Sequence, residues 1–185
     1  LSLSSSNSNV SQDQFLVNQY TAEHQYLPTI ASLSDGSTVI TWSSYYQDGS
    51  YYGVYARHYD VNGNAISDEF LVNQAANGSQ IQSSITSLSD GGFIISWQGT
   101  PLDAGVYDIY ARRYDSNGVA VSDEFIVNQG ANDWNQWTSI TSLIDGGFII
   151  SWSSKNSSGG EFDIYARRYD ANNQAVGDEF LVNQE

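Results

Sequence analysis

The sequence contains no cysteine and no methionine, two prolines, and six basic residues against 21 acidic ones. Each shortage excludes something. Without cysteine there is no disulfide framework and no thiol chemistry. Secreted eukaryotic modules of this size are commonly disulfide-bonded, so the composition points to a bacterial or cytosolic origin. The net charge of −15 repels phosphate backbones and anionic membrane surfaces, which sets nucleic acid aside as a partner. It suits solubility in salt, or loading with a divalent cation. No apolar run reaches the length of a membrane span, so membrane insertion is not expected.

Bulky apolar side chains, by contrast, are plentiful. Hydrophobic residues make up 40% of the 185, with 13 Tyr and 5 Trp, enough to fill a core and to exclude a disordered chain. The 16 Gly and many Asn, Asp and Ser suit short strands joined by tight turns. Residues 1–9, LSLSSSNSN, read as a polar linker, and 10–185 as one repeat domain.

That domain is written in a 55-residue period without gaps, as units 20–74, 75–129 and 130–184. The second and third units are identical at more than half of their positions. Each unit has four segments of strand character. In the second unit they are the stretch ending TSL before Asp90-Gly91, then FIISW, then DIYARRYD, then EFIVNQ. Asp-Gly pairs and Asp-x-Asn runs between segments are hairpin-turn chemistry. The expectation is therefore all-β, three tandem four-stranded antiparallel units. Phe93, Ile95 and Trp97 alternate with Ile94, and Ile109 and Ala111 with Tyr110 and Tyr114, so both faces of each sheet are apolar and must be covered. Stacked β-propeller-type blades satisfy that; a β-trefoil or β-prism with pseudo-threefold symmetry is the alternative. A further copy of the last segment at 13–19 precedes the first unit and is expected as an extra end strand, through which a second chain could pair to give a homo-oligomer.

The pattern IxSLxDGGFIISW…IYARRYDxNGxAVxDEFxVNQ, from Ile85 to Gln129, resembles the tandem repeats of very large exported bacterial proteins of the RTX and adhesin type. It covers nearly the whole chain from Val10 onward. The resemblance implies a secreted, extracellular or cell-surface location, calcium-rich surroundings and a binding or scaffolding task. The layout also resembles propeller lectins, without any of their sugar-binding motifs.

Several residues could carry chemistry. Trp42, Trp97 and Trp152 share a face with apolar neighbours and read as core. Arg57, Arg112 and Arg167 recur with Asp68, Asp123, Asp178 and with Glu69, Glu124, Glu179, which reads as an arginine–carboxylate pair bracing adjacent strands. Arg113 and Arg168, replaced by His58 in the first unit, read as solvent-facing. Asp60, Asp115 and Asp170 open Asp-x-Asn runs that resemble the start of a calcium loop, making them the candidate metal ligands. The twelfth loop position counted from Asp60 is Leu71, however, which favours a plain turn. No nucleophile elbow, zinc-helix or phosphate-loop motif occurs, and the acids repeat threefold, so the chain is expected not to be an enzyme.

Binding specificity collects where repeats differ. The first unit carries Tyr45, Tyr46 and Tyr51 around Asp48. The third has Trp134 and Trp137 beside Asp133 and Asn135, where the second has Ser79 and Gln82. Flat aromatic faces beside amide and carboxylate groups suit stacking on a sugar ring with hydroxyl recognition. The function expected is a non-catalytic, lectin-like carbohydrate-binding module of an exported bacterial protein, with a glycan or polysaccharide as partner. A structural or self-assembling repeat module without a small ligand is the alternative.

Overall fold

The computed structural model describes residues 14–100, 106–130, 133–156 and 158–183, and these form an all-β structure. The first unit contributes β1 (Gln25–Ser32), β2 (Thr38–Tyr45), β3 (Tyr52–Tyr59) and β4 (Phe70–Leu71). The second gives β5 (Ser79–Ser87), β6 (Phe93–Thr100), β7 (Asp108–Tyr114) and β8 (Phe125–Ile126). The third gives β9 (Asp133–Ser142), β10 (Phe148–Asn156), β11 (Asp163–Tyr169) and β12 (Phe180–Leu181). Within each unit the neighbouring strands pair antiparallel in sequence order. The Asp-Gly turns close as expected: Leu33 N donates to Ser37 O at 2.8 Å, and Gly36 sits at φ 87°, where a side chain would be strained.

The fourth strand is shorter than the sequence suggests. β4, β8 and β12 hold two residues each, because an asparagine side chain replaces the next backbone acceptor. Val54, Ile109 and Ile164 donate their N–H to Asn73, Asn128 and Asn183 Oδ1 at 2.9, 2.8 and 2.8 Å. After Asn73 and Asn128 the chain leaves its own sheet and crosses to the next unit.

The units stack face to face. At the first junction Leu33, Val39, Val54, Ala56 and Val72 of the first unit meet Ile85, Phe93, Ile95, Trp97 and Tyr114 of the second. At the second junction Leu88, Ile94, Ile109, Ala111 and Val127 meet Ile140, Phe148, Ile150, Trp152 and Tyr169. The second unit is thus covered on both faces, and β6 is buried over all but its last residue. Each fully buried aliphatic or aromatic side chain contributes roughly 1.5–3 kcal/mol. The three core tryptophans are where their spacing put them, at 4%, 0% and 2% exposure. The sheets do not close into a ring among the described residues. Among the described residues one parallel bridge, Tyr52 to Ser79, joins the first two sheets, and the third forms its own four-stranded sheet, tied to the second unit by Asn135 N donating to Tyr107 O at 3.0 Å.

The expected arginine–carboxylate pairs do not form. Arg112 instead donates to two backbone carbonyls, Nε to Ser122 O at 3.2 Å and Nη1 to Val72 O at 3.0 Å. Arg57 reaches Val17 O, and Arg167 reaches Val127 O, in the same way. The acids serve a different partner: Gln74 N donates to Glu124 Oε2 at 2.7 Å and Gln74 Nε2 to Asp123 Oδ1 at 3.0 Å. Nor does Arg113 face solvent. It is buried to 9% exposure, pairs with Asp90 at 2.7 Å and reaches across the junction to Asn173 Oδ1 at 3.1 Å.

Residues 14–19, the described part of the expected strand 13–19, make no ladder; Asp13 and the linker 1–9 lie outside the described residues. The segment is held by side chains of the first unit. Gln19 N donates to Glu69 Oε2 at 2.6 Å, Tyr59 OH donates to Val17 O at 3.0 Å, and the Phe15 ring lies 5.5 Å from that of Tyr59.

Candidate functional site

The first strand of each unit carries a bulge, and the bulged residue lies in the left-handed region: Leu27 at φ 56°, Gln82 at 57° and Trp137 at 58°. The strand register slips at each. A non-glycine residue there costs of order 1 kcal/mol, so the surrounding fold must hold it. It does so across the junctions, with Gln82 N donating to Ser43 Oγ at 3.3 Å and Trp137 N to Gln98 Oε1 at 3.1 Å. The backbone shape repeats, yet the side chain differs in every unit. The fold therefore fixes the bulge and leaves the side chain free.

The three bulges share one cleft of about 270 Å³, lined by Leu27, Pro28, Thr29, Gln82, Ser83, Trp137 and Thr138. Hydroxyls bridge the sheets beneath it. Thr29 Oγ1 is 2.8 Å from Thr41 Oγ1, Thr41 Oγ1 is 2.7 Å from Ser83 Oγ, and Ser96 Oγ is 2.9 Å from Thr138 Oγ1. Trp137 is 54% exposed.

A neighbouring cleft of about 400 Å³ is lined by Trp134, Gln136, Lys155, Asn156, Gly159 and Phe162. Phe162 connects the two clefts, its ring 5.6 Å from that of Trp137. Lys155, the sole lysine of the chain, holds its Nζ 5.7 Å from the Phe162 centroid. Trp134 meets Tyr107 edge-on at 6.3 Å.

Trp134 and Trp137 are therefore both exposed, but they line different clefts joined through an aromatic that sequence reasoning missed. The polar residues expected beside them divide. Asn135 is buried to 1% exposure and accepts from Trp152 Nε1 at 3.1 Å, so it belongs to the core and faces neither cleft. Asp133 is half-buried at the start of β9, opposite Asn156. In the first unit Tyr45, Tyr46 and Tyr51 pack chiefly on one another and on Tyr52. Ring separations are 4.6 Å for Tyr45–Tyr46 and Tyr45–Tyr52, and 6.1 Å for Tyr46–Tyr51. Burial, with Tyr52 beside it, pushes the Tyr26 phenol up from its ordinary value. Asp48 Oδ1 accepts from Ser50 N at 3.0 Å, which orders the loop itself.

The Asp-x-Asn carboxylates close their own turns. Asp60 Oδ1 accepts from Asn62 N at 2.9 Å and Asn64 N at 2.7 Å. Asp115 Oδ1 accepts from Asn117 N and Val119 N, and Asp170 Oδ1 from Asn172 N and Gln174 N. Bonds to Asn64, from its side chain and then its backbone, hold the Asp60 carboxyl below its ordinary range. Among the described residues no three His, Cys, Asp or Glu converge on a point.

This is an all-β stack of four-stranded antiparallel sheets, a fold that carbohydrate-active proteins use. No protein-family model and no curated protein matches the chain, but solved structures do. A Hadza microbial sialidase superposes with a TM-score of 0.64 at 8% identity, over 86% of this chain and 37% of that one. An endo-arabinase from Bacteroides thetaiotaomicron gives 0.58 at 14% identity, over 85% and 60%. An α-L-arabinofuranosidase from Lactobacillus brevis gives 0.60 at 9%, over 88% and 58%. The chain thus spans between 37% and 60% of the lengths of these proteins, and identity this low shows the fold alone. The expectation that the chain is no enzyme does not stand. It rested on motif inventory and on the threefold repetition of acids, and the solved structures similar to this chain include a sialidase, an endo-arabinase and an arabinofuranosidase.

Proposed function

We propose that this chain binds carbohydrate, with a sugar ring stacked on Trp137 in the cleft between the three bulges and the chain of sugars continuing past Phe162 toward Trp134. One observation carries the reading. Trp137 is more than half exposed on a bulge whose backbone N–H donates to its junction partner Gln98, at a position where the fold imposes no side chain. A flat apolar face costs little entropy to present, since it was already fixed before the ligand arrives. Ser83, Thr29 and Thr138 supply hydroxyls at the cleft, and Gln136, Asn156 and Lys155 supply donors in the neighbouring one. That combination fits a ring with an apolar face and hydroxyls at its rim. The fold shared with a sialidase, an endo-arabinase and an α-L-arabinofuranosidase agrees with this ligand class.

The test is titration of an oligosaccharide panel by tryptophan fluorescence and calorimetry. Binding is expected to quench fluorescence, and Trp137→Ala is expected to weaken it by roughly 5- to 150-fold, about 1–3 kcal/mol for a good aromatic anchor. Trp134→Ala should cost only longer oligosaccharides. Unaltered affinity in a correctly folded Trp137→Ala variant rejects the reading.

A further inference from the structure

The two unit junctions use one set of parts. The earlier unit supplies Leu33, Val39, Val54, Ala56 and Val72 at the first, and their counterparts Leu88, Ile94, Ile109, Ala111 and Val127 at the second, none above 5% exposure. The same five positions recur on the outer face of the third unit as Leu143, Ile149, Ile164, Ala166 and Val182. There Ile164 is 39% and Val182 51% exposed, and Leu143 and Ile149 are half-buried.

The backbone parts recur too. Val72 O accepts from Arg112 and Tyr114 OH, and Val127 O from Arg167 and Tyr169 OH. Val182 O is the next member of that series, and no arginine or tyrosine of the described residues donates to it.

The opposite end of the stack holds the complementary half. Ile30, Ile40, Trp42 and Tyr59 stand at the positions of Ile85, Ile95, Trp97 and Tyr114, and Ile30 is 63% exposed. The segment 14–19 lies over part of this face. Its sequence, QFLVNQ, differs from 69–74 and 179–184, both EFLVNQ, only in its first residue. It sits as the tail of a preceding unit would. Phe15 lies 5.5 Å from Tyr59, as Phe70 lies 5.6 Å from Tyr114 and Phe125 5.4 Å from Tyr169. Among the described residues no sheet lies behind it, and open clefts of about 290 and 250 Å³ stand against Ile40, Trp42 and Ile30. At the two internal junctions the previous unit's sheet fills that position.

We propose that the outer face of the third unit docks on the outer face of the first unit of a second copy of this chain, head to tail, making a third junction of the kind already formed twice. Ile149, Ile164 and Val182 then cover the second copy's Ile30, Ile40 and Trp42. Val182 O takes the place of Val17 O on the second copy's Arg57 and Tyr59, and the tethered segment 14–19 of that copy is the competitor it displaces. The contact is heterologous, since each copy offers one face of each kind. Because each copy carries a net charge of −15 and the contact is apolar, screening by salt strengthens it.

Sedimentation equilibrium of the full chain from micromolar to sub-millimolar concentration is the experiment, at low and at high salt. The mass is expected to rise above 20.3 kDa with concentration, and more so at high salt. Ile164→Asp and Ile30→Asp should each reduce association, both side chains being exposed enough for the unit to fold, with Val182→Asp as the substitute if Ile164→Asp does not. Mixing Ile164→Asp with Ile30→Asp should restore a two-copy species, because each retains one sound face. A monomer at every concentration overturns the proposal, as does wild-type association that the variants leave unchanged or that the mixture fails to recover.

Discussion

Gln74 and Glu124 clasp each other in both directions: Gln74 N donates to Glu124 Oε2, and Glu124 N donates to Gln74 Oε1, each at 2.7 Å. The same exchange joins Gln19 to Glu69 and Gln129 to Glu179. It fastens the tail of one unit to the turn of the next, so its loss should register as stability. Glu124→Ala is expected to lower the unfolding free energy by about 1.5–3 kcal/mol, the range for hydrogen bonds to a charged group. Urea titration followed by circular dichroism measures it.

Arg112 is expected to matter through carbonyls. Arg112→Ala takes the guanidinium donor from Ser122 O, leaves Val72 O with Tyr114 OH alone and removes the guanidinium from its place 5.7 Å from the Tyr114 ring. A loss of about 2–3 kcal/mol is expected. Asp123→Asn should cost well under half of that in the same denaturation assay, because Asp123 contacts Gln74 and not the arginine.

The buried His58 gives the chain a pH dependence near neutrality. Its Nε2 lies 2.8 Å from Ser37 Oγ, whose hydroxyl donates to Asp35 at 2.6 Å. Burial holds the imidazole below its ordinary value of 6.5, with Asp35 opposing only in part. The unfolded chain therefore binds the proton first as pH falls, and stability declines as pH drops through 6.5. Melting curves between pH 8 and pH 5 should show the decline in the wild type, and His58→Gln should flatten it.

Asn135 separates packing from binding. Its amide oxygen is the acceptor for the buried Trp152 indole. Asn135→Ala strands that N–H, at a cost of about 1–3 kcal/mol. Carbohydrate affinity, measured well below the melting point, should not change.

The units, their turns and the two apolar faces of each sheet were legible because strand periodicity is a property of side chains, and Phe93, Ile94, Ile95 and Trp97 declare it directly. The arginine contacts were not. Their partners are the carbonyls of Val17, Val72 and Val127, and a backbone carbonyl leaves no mark in a sequence. The nearby Asp and Glu were the visible but wrong choice. The fourth strands looked longer than they are because Asn73, Asn128 and Asn183 mimic a backbone acceptor that a pattern reading assigns to the strand. Trp137 was visible as an oddity among repeats, whereas its bulge was hidden, since Leu27, Gln82 and Trp137 share a conformation and no chemistry. Phe162 became part of the site only once the β10–β11 hairpin brought its ring to 5.6 Å from that of Trp137.

Because Leu33-type and Phe93-type faces meet only between consecutive units, this chain behaves as a short one-dimensional array with nearest-neighbour coupling. The middle sheet is clamped twice, and the third, whose Ile164 and Val182 are bare, is clamped once. Amide exchange should therefore fray inward from β11 and β12, and the slowest protons should lie in β6, where sequence position matters less than having a neighbour on each side.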